Sequence, residues 1–314
     1  MKIKANLAFT GIPTFCRAPH VPVEADLSAD IVVLGIPFDE GVGFRPGARF
    51  GPRAIREYSM RFAYFDFAAQ ERGYWDLEKR KRLLTEATIV DCGDVDIVPL
   101  DRAYVYDQID AAVKAILKQG VFPVFLGGDH SVTYPVVSAF EGGGPLSIVQ
   151  LDAHLDRRDA VVTSKYGHGS PIRRIGELSF IESITTIGIR GLRAPERDFY
   201  EAESRGDVLI PACEVHQKGT EAVVEAVPQM DRCYVTIDID ALDPSIAPGT
   251  GTPEADGLTY RQIKTILSGI AKKSQVVGFD LVEVNPGLDP SGRTALFAAQ
   301  LCVEFLGAIF EHGA

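Results

Sequence analysis

Ser147–Asp156, SIVQLDAHLD, is the stretch that decides the fold. Residues 147–152 form a short run rich in Ile, Val and Leu, of strand length rather than helix length. The run ends abruptly in Asp152, His154 and Asp156. The same grammar recurs along the chain. VFPVFL (121–126) runs into GGDHS (127–131), YVTIDI (234–239) carries Asp238 and Asp240 at its end, and VVGFDLVEV (276–284) carries Glu283. Ile31–Gly35, ITTIGI (184–189) and VLI (208–210) add further strands. Between them lie helical stretches. Over 101–119 the apolar residues Ile109, Ala112, Val113, Ile116 and Leu117 form one stripe, and Gly120 is a C-terminal stop. Further helices are expected near 132–140, with Pro135 at the start or at a bend, near 259–273 and near 294–310. Strands that alternate with helices and are apolar nearly throughout predict an α/β fold, a mostly parallel sheet covered on both faces.

Working outward, residues 1–29 read as an irregular arm with prolines at 13, 19 and 22. GIPFDEGVGFRPGARFGPRAIR (35–56) reads as a long Gly- and Arg-rich loop entering a helix near Pro52. The basic run Lys79–Arg82 reads as solvated surface. No internal repeat or linker interrupts the chain, so one domain is expected over 1–314.

Thirty-two Lys and Arg stand against 43 Asp and Glu, a formal net charge of −11. Nucleic acid and anionic membrane surfaces both favour a basic footprint, so neither is expected as a partner. Cysteines at 16, 92, 213, 233 and 302 are odd in number and never two residues apart in a Cys-x-x-Cys spacing. That argues against a disulfide framework or a zinc ribbon and fits a reducing cytoplasm. The first residues lack the apolar core of a signal peptide, and no run of about 18 apolar residues predicts a membrane span.

The chemistry lies at the strand ends. In an open parallel sheet, ligands sit beyond the carboxyl ends of the strands. Residues i, i+2 and i+4 of an extended chain share a side, so Asp152, His154 and Asp156 are expected to converge, as are Asp238 and Asp240. With His130 they give six candidate metal ligands. Four carboxylates in a partly dry crevice cost several kcal/mol each unless cations neutralise them, and two divalent ions would do so. Six ligands exceed one tetrahedral zinc site and suit a pair of ions with shared carboxylates. Oxygen and imidazole donors without thiolate favour a harder ion such as Mn²⁺. One Asp-x-Asp alone is ordinarily a turn; three polar interruptions, each at a strand end, are not. No G-x-G-x-x-G or G-x-x-x-x-G-K-[ST] is present, which leaves a nucleotide-binding reading unsupported.

These blocks resemble the ureohydrolase family, which includes arginase, agmatinase, guanidinobutyrase and proclavaminate amidinohydrolase. The matching stretches are 35–56, GGDHS (127–131), DAHLD (152–156), YGHGSP (166–171), DIDALDPSIAPGTGTPE (238–254) and EVNP (283–286). The resemblance covers nearly the whole chain and is closest in pattern to agmatinase. It implies a three-layer α/β/α sandwich, assembly into trimers or hexamers, and two Mn²⁺ per chain. It implies His130, Asp152, Asp156 and Asp238 around one ion, and Asp152, His154, Asp238 and Asp240 around the other. It further implies Asp156, His168 and Glu283 as catalytic residues: a proton relay, an acid or shuttle on a mobile loop, and a carboxylate that grips the guanidinium. The plain alternative for Glu283 is a buried salt bridge to an arginine such as Arg293. His20, His216 and His312 match no block.

The implied reaction is hydrolysis of a small cationic guanidino substrate to urea and an amine, with agmatine giving putrescine as the first choice. Arginase-like chains carry Asn two residues after the position of Asp156, whereas this chain has Arg157-Arg158-Asp159. Either arginine, if turned inward, would welcome a carboxylate tail. A guanidino acid, 4-guanidinobutyrate or 3-guanidinopropionate, is therefore the alternative substrate, and a non-catalytic metal-binding relative is the alternative class. Asp256 stands where many relatives have glycine.

Overall fold

The computed structural model describes residues 7–63 and 72–312. In chain order it contains β1 (Ile31–Ile36), α1 (Gly51–Ser59), β2 (Tyr74–Asp76), β3 (Lys81–Leu83), β4 (Ile89–Asp94), α2 (Arg102–Lys118), β5 (Phe122–Gly127), α3 (Thr133–Ser138) and β6 (Leu146–Leu151). There follow α4 (Pro171–Gly176), β7 (Ile181–Ile189), α5 (Glu196–Arg205), β8 (Val208–Pro211), α6 (Ala212–Lys218), α7 (Thr220–Ala226), β9 (Cys233–Asp238), α8 (Tyr260–Lys273), β10 (Val276–Val282) and α9 (Arg293–His312). Eight strands form one sheet in the order β4-β1-β5-β10-β9-β6-β7-β8, every pair parallel. The antiparallel pair β2–β3 stands apart.

The alternation of side chains along each strand builds two apolar layers. Ile31, Val33, Val124, Leu126, Val235, Ile237, Phe279 and Leu281 pack with Ile55 of α1, Ile263 and Ile266 of α8, and Leu301 and Phe305 of α9. Val32, Leu34, Phe125, Ile148 and Tyr234 face the other way, onto Val105, Ile109, Val113 and Ile116 of α2 and Ile172 of α4. This is the expected three-layer α/β/α arrangement. Each fully buried aliphatic side chain contributes roughly 1.5–3 kcal/mol, so α2 is held mainly by its stripe. Its start is fixed by Asp101, whose carboxylate accepts the Tyr104 N–H at 3.0 Å. A capping box between Thr259 and Gln262 starts α8 in the same way.

Strand β4 is not anticipated by the sequence pattern, because Asp91 and Asp94 break its apolar run. The N-terminal arm, described from residue 7 with residues 1–6 outside the described part, holds no strand or α-helix. It lies along the edge of β4, where the Val21 N–H donates to the Asp91 carbonyl and the Asp91 N–H to that of Pro19. An otherwise open sheet edge is thereby covered. Helix α9 is long and apolar enough to cross a membrane, with mean hydropathy 1.5 over its best window. Yet 67% of that window is buried in the fold, and the helix packs against α1 and α8. The basic run at 79–82 is not simply solvated, since Lys79 and Lys81 both pair with Glu311 at the end of α9.

Candidate metal centre

Strands β5, β10, β9 and β6 are neighbours at the centre of the sheet, and their carboxyl ends deliver His130, Glu283, Asp238 and Asp152 side by side. After β5 the chain turns so tightly that a Cβ on Gly128 would lie 1.8 Å from the carbonyl oxygen of Phe38. Only glycine fits there. The turn lets the Asp129 N–H donate to that carbonyl at 2.8 Å and points His130 over the sheet.

Nδ1 of His130 faces three carboxylate oxygens: Oδ2 of Asp156 at 2.9 Å, of Asp152 at 3.1 Å and of Asp238 at 3.4 Å. Nδ1 of His154 lies 3.1 Å from Oδ2 of Asp240 and 3.4 Å from Oδ1 of Asp152. Asp152 thus turns one oxygen to each histidine. Two groups of ligand-type atoms result, His130–Asp152–Asp238 and Asp152–His154–Asp240. Asp152 belongs to both, whereas Asp238 enters the first alone.

All six candidate ligands come together, though not for the expected reason. Residues 152–156 are not extended; Asp156 sits in the left-handed region at φ 51°. The loop sends Asp156 toward His130 and His154 toward Asp240, to either side of Asp152. Asp238 ends β9, and its carboxylate accepts the Asp240 N–H at 2.9 Å, the turn that brings Asp240 in.

Among the described residues no Lys or Arg pairs with these carboxylates. Burial and the neighbouring charge of Asp152 push the Asp156 carboxyl up, and burial with Asp240 and Asp152 pushes that of Asp238 well up. Burial would lower both histidines, but the carboxylates around them outweigh it and raise them. Burial opposes ionisation of Asp152 too, yet His130 and His154 hold its carboxyl below the usual range. Left without metal, such a cluster gathers protons.

Glu283 does not pair with Arg293. It is buried at φ 64°, and its Oε1 accepts the His130 N–H and faces Nδ1 of His168, each at 3.0 Å. Burial lowers His168, and Glu283 more than compensates, raising it to about 9. The loop after β1 reaches the same place. Gly41 N–H donates to Asp129 Oδ2 at 2.7 Å and Gly43 N–H to His168 Nε2 at 3.1 Å. Burial and the charge of Glu283 push Asp129 up to about 7.

A cavity of about 1040 Å³ opens onto these strand ends, with His154, Asp156, His168 and Asp238 in its lining. Arg45, Arg102, Arg157, Arg158 and Arg193 also line it. Arg157 is buried and pairs with Asp207 at 2.8 Å, not with Asp159, which Arg174 takes at 2.6 Å. Asp256 sits at φ 63°, the reason glycine is at home there; the chain keeps the turn with a residue that tolerates it. His20, His216 and His312 are exposed and apart from the cluster.

Sequence reasoning passed over Gln150, Thr236 and Asp280, all fully buried. Gln150 donates to Asp152 Oδ2 at 2.6 Å, and Thr236 Oγ1 lies 2.9 Å from His130 Nε2. The signal was present: each is a polar residue inside an apolar strand.

The model of the arginase family matches residues 29–307. Proclavaminate amidinohydrolase of Streptomyces clavuligerus is 34% identical over 304 residues, 95% of this chain and 93% of the relative. Its solved structure aligns with a TM-score of 0.87 and 32% identity, covering 98% of this chain and 100% of that one. Guanidinobutyrase of Pseudomonas aeruginosa is 34% identical over 305 residues, 95% and 92% of the two chains. Mitochondrial agmatinase of Gallus gallus is 35% identical over 298 residues, 93% and 84%. With that coverage, and with the fold and strand-end cluster described above, the chain belongs to the arginase family and is a ureohydrolase enzyme.

Proposed function

We propose that the chain hydrolyses the guanidinium group of a small guanidino compound to urea and the parent amine, using two Mn²⁺ held by His130, Asp152, His154, Asp156, Asp238 and Asp240. One observation carries the reading. Nδ1 of His130 is buried without a hydrogen bond, yet it looks onto three carboxylate oxygens. A cation between them satisfies all four atoms. Oxygen and imidazole donors fit Mn²⁺. His130, Asp152, Asp156 and Asp238 would hold one ion, and Asp152, His154, Asp238 and Asp240 the other. When bound, the pair supplies charge neutralisation and a hydroxide nucleophile near neutral pH.

The remaining work falls to the chain's own groups. Glu283 orients the guanidinium through charge-assisted hydrogen bonds. Its Oε1 is occupied by His130 and His168, so Oε2 is the oxygen left for substrate. His168 delivers a proton to the leaving amine, and Asp156, in the cavity lining, holds and passes the proton released by attack.

For the tail of the substrate, the sequence pattern puts agmatine first; the arginines of the cavity wall support a carboxylate as the preferred reading. Of its five arginines only Arg157 forms an ion pair among the described residues. The others would attract 4-guanidinobutyrate or 3-guanidinopropionate and repel the amine of agmatine. Agmatine stands as the second reading, supported by Glu40, Asp198 and Glu254 on the same wall. A homo-oligomer, trimer or hexamer, and a cytoplasmic location complete the proposal. The first follows the family resemblance; the second is supported by Cys92, Cys213, Cys233 and Cys302, none of which is in a disulfide.

The test is a urea assay on Mn²⁺-loaded protein with agmatine, arginine, 4-guanidinobutyrate and 3-guanidinopropionate. Urea from the guanidino acids at the highest kcat/KM is expected. Two bound ions and no urea from any of them would leave the non-catalytic relative standing instead.

A further inference from the structure

Two buried polar residues stand behind His130. Asp280 of β10 and Thr236 of β9 are register partners across the sheet, and both are fully buried. Among the described residues Asp280 pairs with no Lys or Arg. Its contacts are hydroxyls. Thr236 donates to Oδ1 at 2.6 Å and Tyr234 donates to Oδ2 at 2.9 Å. A buried carboxylate without a cation is expensive, and replacing it with an apolar residue is commonly neutral or stabilising. Its presence calls for a function other than packing.

The hydroxyl of Thr236 supplies the function. A threonine hydroxyl has one proton and two lone pairs. The proton goes to Asp280. The lone pairs are left for Nε2 of His130 at 2.9 Å and for Oγ1 of Thr133 at 3.4 Å. Thr236 therefore accepts from His130, which requires a hydrogen on Nε2. Nδ1 is then the nitrogen with a lone pair, and it is the one that faces the carboxylates. With Asp280 ionised, the direction of each hydrogen bond in this chain is set at its far end, by a carboxylate that only accepts.

We propose that Asp280, acting through Thr236, is a positioning residue that holds His130 in the tautomer able to bind metal through Nδ1. The inference rests on the reading of His130 as a ligand. It names a site-selective effect, because His154 has a different outer neighbour: its Nε2 lies 3.5 Å from Oε1 of Glu254. Asp280→Asn offers an N–H where Thr236 now finds an acceptor. The chain of donors can then run the other way, with Thr236 donating to Nε2 and the proton moved to Nδ1.

The experiment is Mn²⁺ titration of the metal-stripped full chain, followed by calorimetry and by electron paramagnetic resonance, which separates a spin-coupled pair from a single ion. In Asp280→Asn and in Thr236→Val, close in volume to the originals, one ion is expected to weaken about 10–100-fold, the usual cost of losing an outer partner. The other ion should stay, with a single-ion spectrum at intermediate Mn²⁺. Thr236→Ser keeps the hydroxyl and should restore both ions, a rescue that a merely structural contribution would not produce in a site-selective way. If folded Thr236→Val binds two ions with unchanged affinity, the relay is wrong. If Thr236→Val unfolds, Thr236→Ser still decides: loss of the pair there, in a folded protein, overturns the proposal. His130→Ala separates the two levels. Should it leave both ions bound, the ligand reading falls and the relay with it; should it remove one ion while Asp280→Asn removes none, the relay alone falls.

Discussion

Nδ1 of His168 lies 3.0 Å from Oε1 of Glu283, the same oxygen that accepts the main-chain N–H of His130. One carboxylate therefore joins the loop of 166–170 to the turn after β5. The other ring nitrogen of His168 accepts the Gly43 N–H, so the imidazole also ties in the loop after β1. A proton on Nε2 and the Gly43 bond exclude each other. The ring is either a latch between two loops or an acid, and the charge of Glu283 decides which at a given pH.

His168→Ala should retain both Mn²⁺ ions and lose about 10²–10⁴-fold in kcat, the usual worth of a general acid. Burial lowers the imidazole and Glu283 raises it to about 9, so the protonated acid disappears as pH rises past that value. Wild-type turnover is expected to fall on that alkaline side, and the variant to lose this limb. A pH–rate profile with the same alkaline limb in both proteins would reject His168 as the donor.

Removal of metal should make stability and pH run against each other. In the metal-free chain, burial and neighbouring carboxylates push Asp156 and Asp238 up. His130 and His154 are also raised, the carboxylates outweighing burial. All four folded values lie above the unfolded ones. Their stabilisation is complete below the unfolded values and is lost progressively as pH climbs from these to the folded ones, for the histidines from the neutral range far into the alkaline. Mn²⁺ takes the place of those protons. Its affinity should rise with pH, with protons released on binding. At about 100 times its Kd each ion should add about 2.7 kcal/mol of stability. Calorimetry in two buffers of different ionisation heat counts the protons; a count of zero would contradict the assignment.

Asp152→Ala removes the one carboxylate among the described residues that faces both histidines. Loss of an outer partner costs about 10–100-fold in affinity or activity, and this shared ligand should cost more. Metal analysis and urea release should fall together. Two retained ions at full rate would show that the ligand set has been misassigned.

Charge on the cavity wall can be read through substrate choice. Arg158→Ala and Arg193→Ala each remove a guanidinium that has no ion pair among the described residues. Partly exposed pairs are worth about 0.2–1 kcal/mol. KM for 4-guanidinobutyrate should therefore rise up to about fivefold per variant, with kcat little changed, while KM for agmatine stays level or falls. An equal rise for both substrates would mean that these arginines do not read the tail.

The central strands are legible in the sequence because both faces of the sheet are covered, which leaves nearly unbroken runs of Val, Ile and Leu ending in the site residues. What the sequence hides is whatever depends on partners far along the chain. The convergence of Asp152, His154 and Asp156 looks like strand alternation and is in fact a loop with a left-handed residue. Thr236 and Asp280 look like minor polar interruptions until the register of β9 and β10 pairs them. Strand β4 is hidden for the same reason. IVDCGD does not stand out as a strand, because nothing local says that its acids will be neutralised.

Arg56 neutralises them. Its Nε and Nη2 grip the two oxygens of the buried Asp91 at 2.8 and 3.0 Å, and Nη1 reaches Asp94 at 2.5 Å. Asp91 also accepts the N–H of Phe15 at 2.7 Å, so the same pair anchors the N-terminal arm. Arg56→Met leaves Asp91 buried without its cation, which should cost about 3–5 kcal/mol of stability. Adding Asp91→Asn removes the stranded charge, and the double variant should recover part of that loss. Urea unfolding of the three variants and the wild type closes the cycle. A single variant within about 1 kcal/mol of wild type would mean that water reaches Asp91, and that β4 is held by its main-chain ladder alone.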